Sequence, residues 1–188
     1  MPVLDPKWFS DCKMERIIVH WTAGTYAIST NDKRHYHFLV DKDGKGWKGL
    51  NPVSGNARYA KLGAVTSHTL RCNTGSIGIA VASMGDAEEL PFKPGPWPLT
   101  ELQWTGLMGA LAELCVAYAI PCAPKTLLMH GEVQKNLNIP QRGKWDIGRL
   151  PFKLELKGCR ETGPYMRKTV AALLRANGPP VGGSNGIS

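Results

Sequence analysis

Two apolar runs that each end in a histidine constrain this chain more than any other feature. The first lies in Arg16-Ile-Ile-Val-His-Trp-Thr-Ala-Gly24, where Ile17, Ile18 and Val19 read as a buried strand over 16–21. It delivers His20 where the chain turns out of the sheet. The second, Thr126-Leu-Leu-Met129, reads as another buried strand and delivers His130. A histidine in such a place is either a satisfied core residue or one presented to a cleft. Two at the same relative position put both imidazoles at one edge of a sheet. With 188 residues, the chain is long enough for one domain with a real core and too short for two of ordinary size.

The other elements follow from local signals. His35-Tyr-His-Phe-Leu-Val40 reads as a strand, and Asp41-Lys-Asp-Gly44 as a hairpin turn toward a partner near 47–50. Ser76-Ile-Gly-Ile-Ala-Val-Ala82 reads as a central strand with a glycine that permits close backbone approach. Four prolines between Pro91 and Pro98 make a surface loop. Thr100 is placed to cap a helix with Glu101 in its first turn. The apolar stripe of that helix is read as Leu102, Leu107, Leu111, Leu114 and Val116, and its end as Pro121. A last helix is expected from Pro164 to about Asn177, and residues 179–188 as a flexible tail after a single domain over 1–178. Strands and helices are mixed rather than alternating, so the expected class is α/β (α+β), a central mixed sheet flanked by helices.

Composition narrows the setting. A net charge of +8 implies attraction to polyanions, which leaves nucleic acid, anionic lipid and an acidic wall polymer open. No dense Lys/Arg run with interleaved aromatics occurs, and no nucleic-acid partner is expected. Five cysteines without a C-x-x-C pair argue against a disulfide framework and fit synthesis in a reducing compartment. The first sixteen residues scatter Asp5, Lys7, Asp11, Lys13 and Glu15 and show no basic-then-apolar leader, so cytoplasmic synthesis without a signal peptide is expected. The longest apolar stretch, 107–120, is interrupted by Glu113 and is too short to cross a bilayer. Nothing argues for an obligate dimer, and a monomer is expected.

Zinc chemistry requires three protein ligands that converge and a fourth position open to water. His20 and His130 supply two, and Gly143-Lys-Trp-Asp-Ile-Gly148 offers Asp146 on a glycine-flanked loop. The spacing is not a local zinc signature of the H-E-x-x-H kind.

The sequence resembles the zinc-dependent N-acetylmuramoyl-L-alanine amidases of the peptidoglycan-recognition type, and more closely the short phage lysozymes of amidase chemistry. The matching segments are Ile18-Val-His-Trp-Thr-Ala-Gly24, Tyr36-His-Phe-Leu-Val-Asp-Lys-Asp-Gly44, His68 with Asn73-Thr-Gly-Ser-Ile-Gly-Ile79, Met129-His-Gly131 and Lys144-Trp-Asp146, in family order over roughly 14–152. The resemblance implies that His20, His130 and Asp146 bind one Zn²⁺, and that Tyr36 and Lys144 are catalytic. It implies that His68 and Asn73 line the substrate groove and that His37 is structural. Trp21 has two readings, a face offered to sugar or peptide stem and a packing residue. The implied reaction is hydrolysis of the amide between N-acetylmuramic acid and L-alanine of peptidoglycan by an endolysin that reaches the wall after the membrane is breached. Weak attraction to anionic envelope components accompanies it. Two departures stand out: Ala80 occupies the place of the glutamate base of cytoplasmic recycling amidases, and the loop between His130 and Asp146 is longer than in many members. A non-catalytic peptidoglycan-binding module and a muropeptide-recycling amidase are the alternatives.

Overall fold

The run Ile17-Ile-Val19 lies at the heart of a five-stranded sheet. The computed structural model describes residues 1–60 and 65–176. Strands β1 (Arg16–Trp21), β2 (Phe38–Val40), β3 (Gly46–Lys48), β4 (Ser76–Val81) and β5 (Leu127–Met129) assemble in the order β3-β2-β4-β1-β5. The β2–β3 hairpin is antiparallel and the remaining pairings are parallel. The expected mixed sheet with flanking helices is the fold observed. No helix among the described residues is long and apolar enough to cross a membrane.

Alternation along β1 sorts its residues between two faces. Ile17, Val19 and Trp21 join the main core with helices α2 (Glu101–Ala117) and α4 (Cys159–Ala176), through Leu107, Leu111, Met166 and Val170. Ile18 points the other way and packs against Val133 of α3 (His130–Leu137) and Cys72. His20 shares that second, more thinly covered side. The parallel register pairs Val19 with Met129, so His20 near the end of β1 and His130 just after β5 follow at the same level. The carboxyl ends of parallel strands are the usual place for a ligand crevice.

Several elements differ from their sequence readings. The strand expected from His35 begins only at Phe38, because Ser29 opens a short helix, α1 (Thr30–His35). The Ser29 hydroxyl accepts the Asp32 N–H at 3.1 Å and the Asp32 carboxylate accepts the Ser29 N–H at 2.8 Å. Such a reciprocal cap stabilises a helix start by about 1 kcal/mol. Tyr36 therefore closes a helix instead of alternating along a strand. The hairpin partner is 46–48 and not 47–50.

Helix α2 starts after Thr100 as expected, but Tyr118 caps it and Ala119 turns left-handed at φ 49°, short of Pro121. Its apolar stripe also needs correction: Leu102 and Val116 are exposed, at 55% and 60%. At about 100° per residue, Leu102 sits roughly 140° and Val116 roughly 180° around the axis from Leu107. Trp104 and Met108 take the buried face instead, together with Gln103, whose amide donates to Ala82 O at 2.8 Å.

Helix α4 begins at Cys159, five residues before Pro164, which lies inside it. The missing N–H of Pro164 faces the carbonyl of Arg160, an exposed residue, where water can serve. The end of this helix at Asn177 and the tail 179–188 lie outside the described residues. Helix α3 had no counterpart in the sequence reading. It is locked to α4 by a partly buried pair, with Arg167 donating to both Glu132 oxygens at 2.8 and 2.9 Å and to Leu127 O at 3.0 Å. Glu132 also accepts the Met129 N–H at 3.0 Å, which holds the turn that presents His130.

Candidate metal centre and cleft

Three donor atoms meet above the carboxyl ends of β1 and β5. His20 Nδ1 lies 3.1 Å from His130 Nδ1 and 3.1 Å from Asp146 Oδ2, and His130 Nδ1 lies 3.2 Å from the same oxygen. All three residues are buried. Asp146 comes from the loop after α3, tied down where the Gly131 N–H donates to Asp146 O at 2.7 Å. That approach needs Gly131: a Cβ there would lie 2.5 Å from Cys159 Sγ and 3.1 Å from Lys144 O.

The donor set fits a divalent ion. Three ligands at about 2.0–2.1 Å in a tetrahedral zinc site stand about 3.3 Å apart, close to the observed separations, and two imidazoles with one carboxylate are a usual zinc set with a fourth position for water. The proton positions point the same way. The Gln141 amide nitrogen donates to Leu70 O at 3.0 Å and Ile139 O at 3.3 Å, which fixes the amide orientation. Its oxygen then faces His130 Nε2 at 3.0 Å, so that nitrogen is the donor and, in the ring form that a metal takes, Nδ1 has its lone pair on the side of Asp146. Acceptors therefore converge where a cation would sit.

Electrostatics favour the metal-binding forms of His20 and Asp146. Burial takes His20 down to about 4, against the upward pull of its hydrogen bond to Asp146. For Asp146 burial acts upward, but the close imidazoles of His130 and His20 outweigh it and hold the carboxyl well below its usual range. At neutral pH the site presents a neutral imidazole at 20 and a carboxylate.

The cleft over this cluster has a volume of about 560 Å³ and is bordered by Tyr36, Asn73, Arg71, Arg142 and Lys144 among others. Tyr36 packs beside His20 with ring centroids 5.2 Å apart. Burial, reinforced by the carboxylates of Asp146 and Asp32, raises its phenol well above the ordinary tyrosine value, so it stays protonated. Lys144 is exposed at the rim.

Other expected site residues take different places. His68 reaches the cleft, yet it is 8% exposed and stands behind His20, its Nδ1 3.2 Å from His20 Nε2 and 2.8 Å from Thr69 Oγ1. Burial, with His20 and His37 nearby, pushes His68 well below its ordinary value. Gly78 makes this possible, since a Cβ there would lie 2.5 Å from His68 Cγ. Asn73 borders the cleft and also shapes it, its side-chain oxygen accepting the His68 and Thr69 N–H groups at 3.0 and 2.8 Å. Trp21 is 6% exposed and packs edge-on against Trp145 at 4.5 Å. The packing reading describes most of its ring, and its remaining surface borders the cleft. His37 is buried away from the donor cluster, accepting the Gly78 N–H at 3.0 Å. Sequence reasoning missed Gln141 and Thr69, for which neither spacing nor motif gave a signal.

A family model described as N-acetylmuramoyl-L-alanine amidase matches residues 10–149. Among solved structures, the chain is similar to the Ph2119 endolysin from Thermus scotoductus MAT2119 bacteriophage Ph2119, with 25% identity over 66% of this chain and 75% of that one, at a TM-score of 0.44. It is similar to the endolysin amidase LysCS from Clostridium intestinale URNW, with 20% identity over 80% and 88%, at 0.47. It is also similar to the Drosophila peptidoglycan recognition protein SA, with 16% identity over 65% and 70%, at 0.39. A search of curated proteins gives no match. The family match spans most of the chain and includes both histidines and Asp146: this protein belongs to the N-acetylmuramoyl-L-alanine amidase family, Amidase_2.

Proposed function

We propose that this amidase is zinc-dependent, cleaves the bond between the lactyl group of N-acetylmuramic acid and L-alanine in peptidoglycan, and serves a phage or prophage as an endolysin. The observation that carries the reading is the convergence of His20 Nδ1, His130 Nδ1 and Asp146 Oδ2 within 3.2 Å of one another at the floor of the cleft. The resemblance of five ordered segments to the short phage enzymes supports the lytic role. It also supports synthesis in the cytoplasm and action on the wall once the membrane is breached. The net charge of +8 favours contact with anionic envelope material.

When bound, a zinc ion supplies an acidified water and polarises the scissile carbonyl. The chain's own residues do the rest. Tyr36 holds its proton and works as a hydrogen-bond donor toward the reacting groups, not as a base. Lys144 at the rim is the cation available to negative charge that develops on the carbonyl oxygen, and losing such a donor commonly costs about 3–4 kcal/mol. Asn73, beside the metal residues, lines the substrate groove. Ala80 is the register partner of His20 and brings no carboxylate to the site, which favours wall lysis over muropeptide recycling.

The test is mass spectrometry of intact sacculi digested with purified protein, joined to metal analysis. We expect free peptide stems, about one zinc per chain, loss of release on chelation and recovery with zinc. Full turnover by verified metal-free protein overturns zinc dependence. Wall binding without turnover in zinc-loaded protein overturns the enzyme in favour of a binding module, and a strong preference for small anhydro-muropeptides overturns the lytic role.

A further inference from the structure

We propose that Gln141 is the positioning residue of the metal centre, setting which nitrogen of His130 faces the ion and coupling that choice to the loop that carries His68. The inference rests on the zinc reading above and extends it to a residue in the long loop between the last two ligands.

Four polar contacts define the role of Gln141. Its side-chain oxygen accepts from His130 Nε2 at 3.0 Å, its side-chain nitrogen donates to Leu70 O at 3.0 Å and Ile139 O at 3.3 Å, and its backbone N–H donates to Gln134 Oε1 on α3 at 3.0 Å. The residue is 2% exposed. A neutral imidazole has one N–H and one lone pair, and a partner for one nitrogen fixes the role of the other. Here the two carbonyls leave the amide a single orientation, and that orientation makes Nε2 of His130 the donor. Nδ1 then has its lone pair toward His20 and Asp146, the form a metal requires.

The contact to Leu70 O gives the residue a second reach. Leu70 follows His68 and Thr69, which border His20 Nε2 at 3.2 and 3.4 Å. Through one amide, the outer nitrogen of one ligand is tied to the loop that abuts the outer nitrogen of the other. The backbone on both sides of this tie is held in the left-handed region, with φ of 54° at Arg71 and 54° at Arg142, a conformation that surroundings must enforce in side-chain-bearing residues. The segment after α3 thus has a use: it carries an amide to the back of His130.

Two substitutions separate the acceptor role from the staple. Gln141→Met keeps the volume and removes every side-chain polar contact, whereas Gln141→Glu keeps an acceptor for His130 and loses both donors to the carbonyls. Zinc affinity is read by competition with a chromophoric chelator, and the His130 tautomer by ¹⁵N ring signals of the zinc-loaded protein. We expect Gln141→Met to lose about 10- to 100-fold in affinity and the protected Nε2–H signal. Gln141→Glu should stay within a few-fold of wild type. Wild-type affinity in Gln141→Met with unchanged ring signals overturns the inference. So does an equal loss in Gln141→Glu, which would leave Gln141 a loop staple only. Should Gln141→Met fail to fold, Gln141→Glu decides alone by the same criterion. Wild-type protein that binds no zinc overturns the metal reading beneath it, an outcome distinct from the others.

Discussion

At the scale of single residues, the centre depends on which atoms hold protons. Burial holds His20 as a neutral imidazole, while the two rings beside Asp146 keep its carboxyl ionised against the opposing effect of the same burial. Tyr36 is kept a neutral phenol and Lys144 is out in solvent at the rim, so neither is needed to hold the ion. Lys144→Ala should therefore retain about one zinc per chain and lose roughly a hundredfold in turnover on sacculi. Tyr36→Phe should also keep the metal and lose turnover, and full activity in either variant removes that residue from the mechanism. The two histidines of the donor cluster were legible in the sequence because each ends an apolar strand, and Asp146 because it lies on a glycine-flanked loop. Gln141 was not, since a glutamine in a polar loop carries no pattern until the loop's path is known.

At the scale of elements, parallel pairing of β1 with β5 turns two similar local sequences into one site, through the pairing of Val19 with Met129. The glycine in Ser76-Ile-Gly-Ile was read as a place for close approach, and what approaches is the ring of His68. Gly78→Ala should drive that ring away from His20, costing about 1–3 kcal/mol of stability and weakening zinc retention. Urea melts and chelator competition on one sample check both, and a variant with wild-type values would mean that the ring shifts without consequence. The hairpin and the capped start of α2 were legible because turn and cap residues act within a few positions. Helix α3 was missed although Val133 and Leu137 stand four apart, because eight residues after a strand give too little periodicity to separate from a loop.

At the scale of the molecule, burying histidines gives stability a definite pH dependence. His20 and His37 are both taken down to about 4, chiefly by burial, from an ordinary value near 6.5. Below pH 6.5 the unfolded chain takes up protons that the native protein refuses until about pH 4, so stability is lost as pH falls through that window, by up to about 3 kcal/mol per ring. Denaturant melts of metal-free protein at pH 7.5 and 4.5 should show the loss, and equal midpoints would mean that the rings reach water. Taken alone, the sequence determined the buried strands, the helix start at Thr100, the mixed sheet and the three residues able to meet around an ion, since hydrophobic pattern and turn chemistry are local. Only the tertiary structure decided that Trp21 packs in the core, that His68 stands behind His20 and that the Gln141 amide faces His130. Those roles are set by distances between segments tens of residues apart, which depend on how the chain returns to itself.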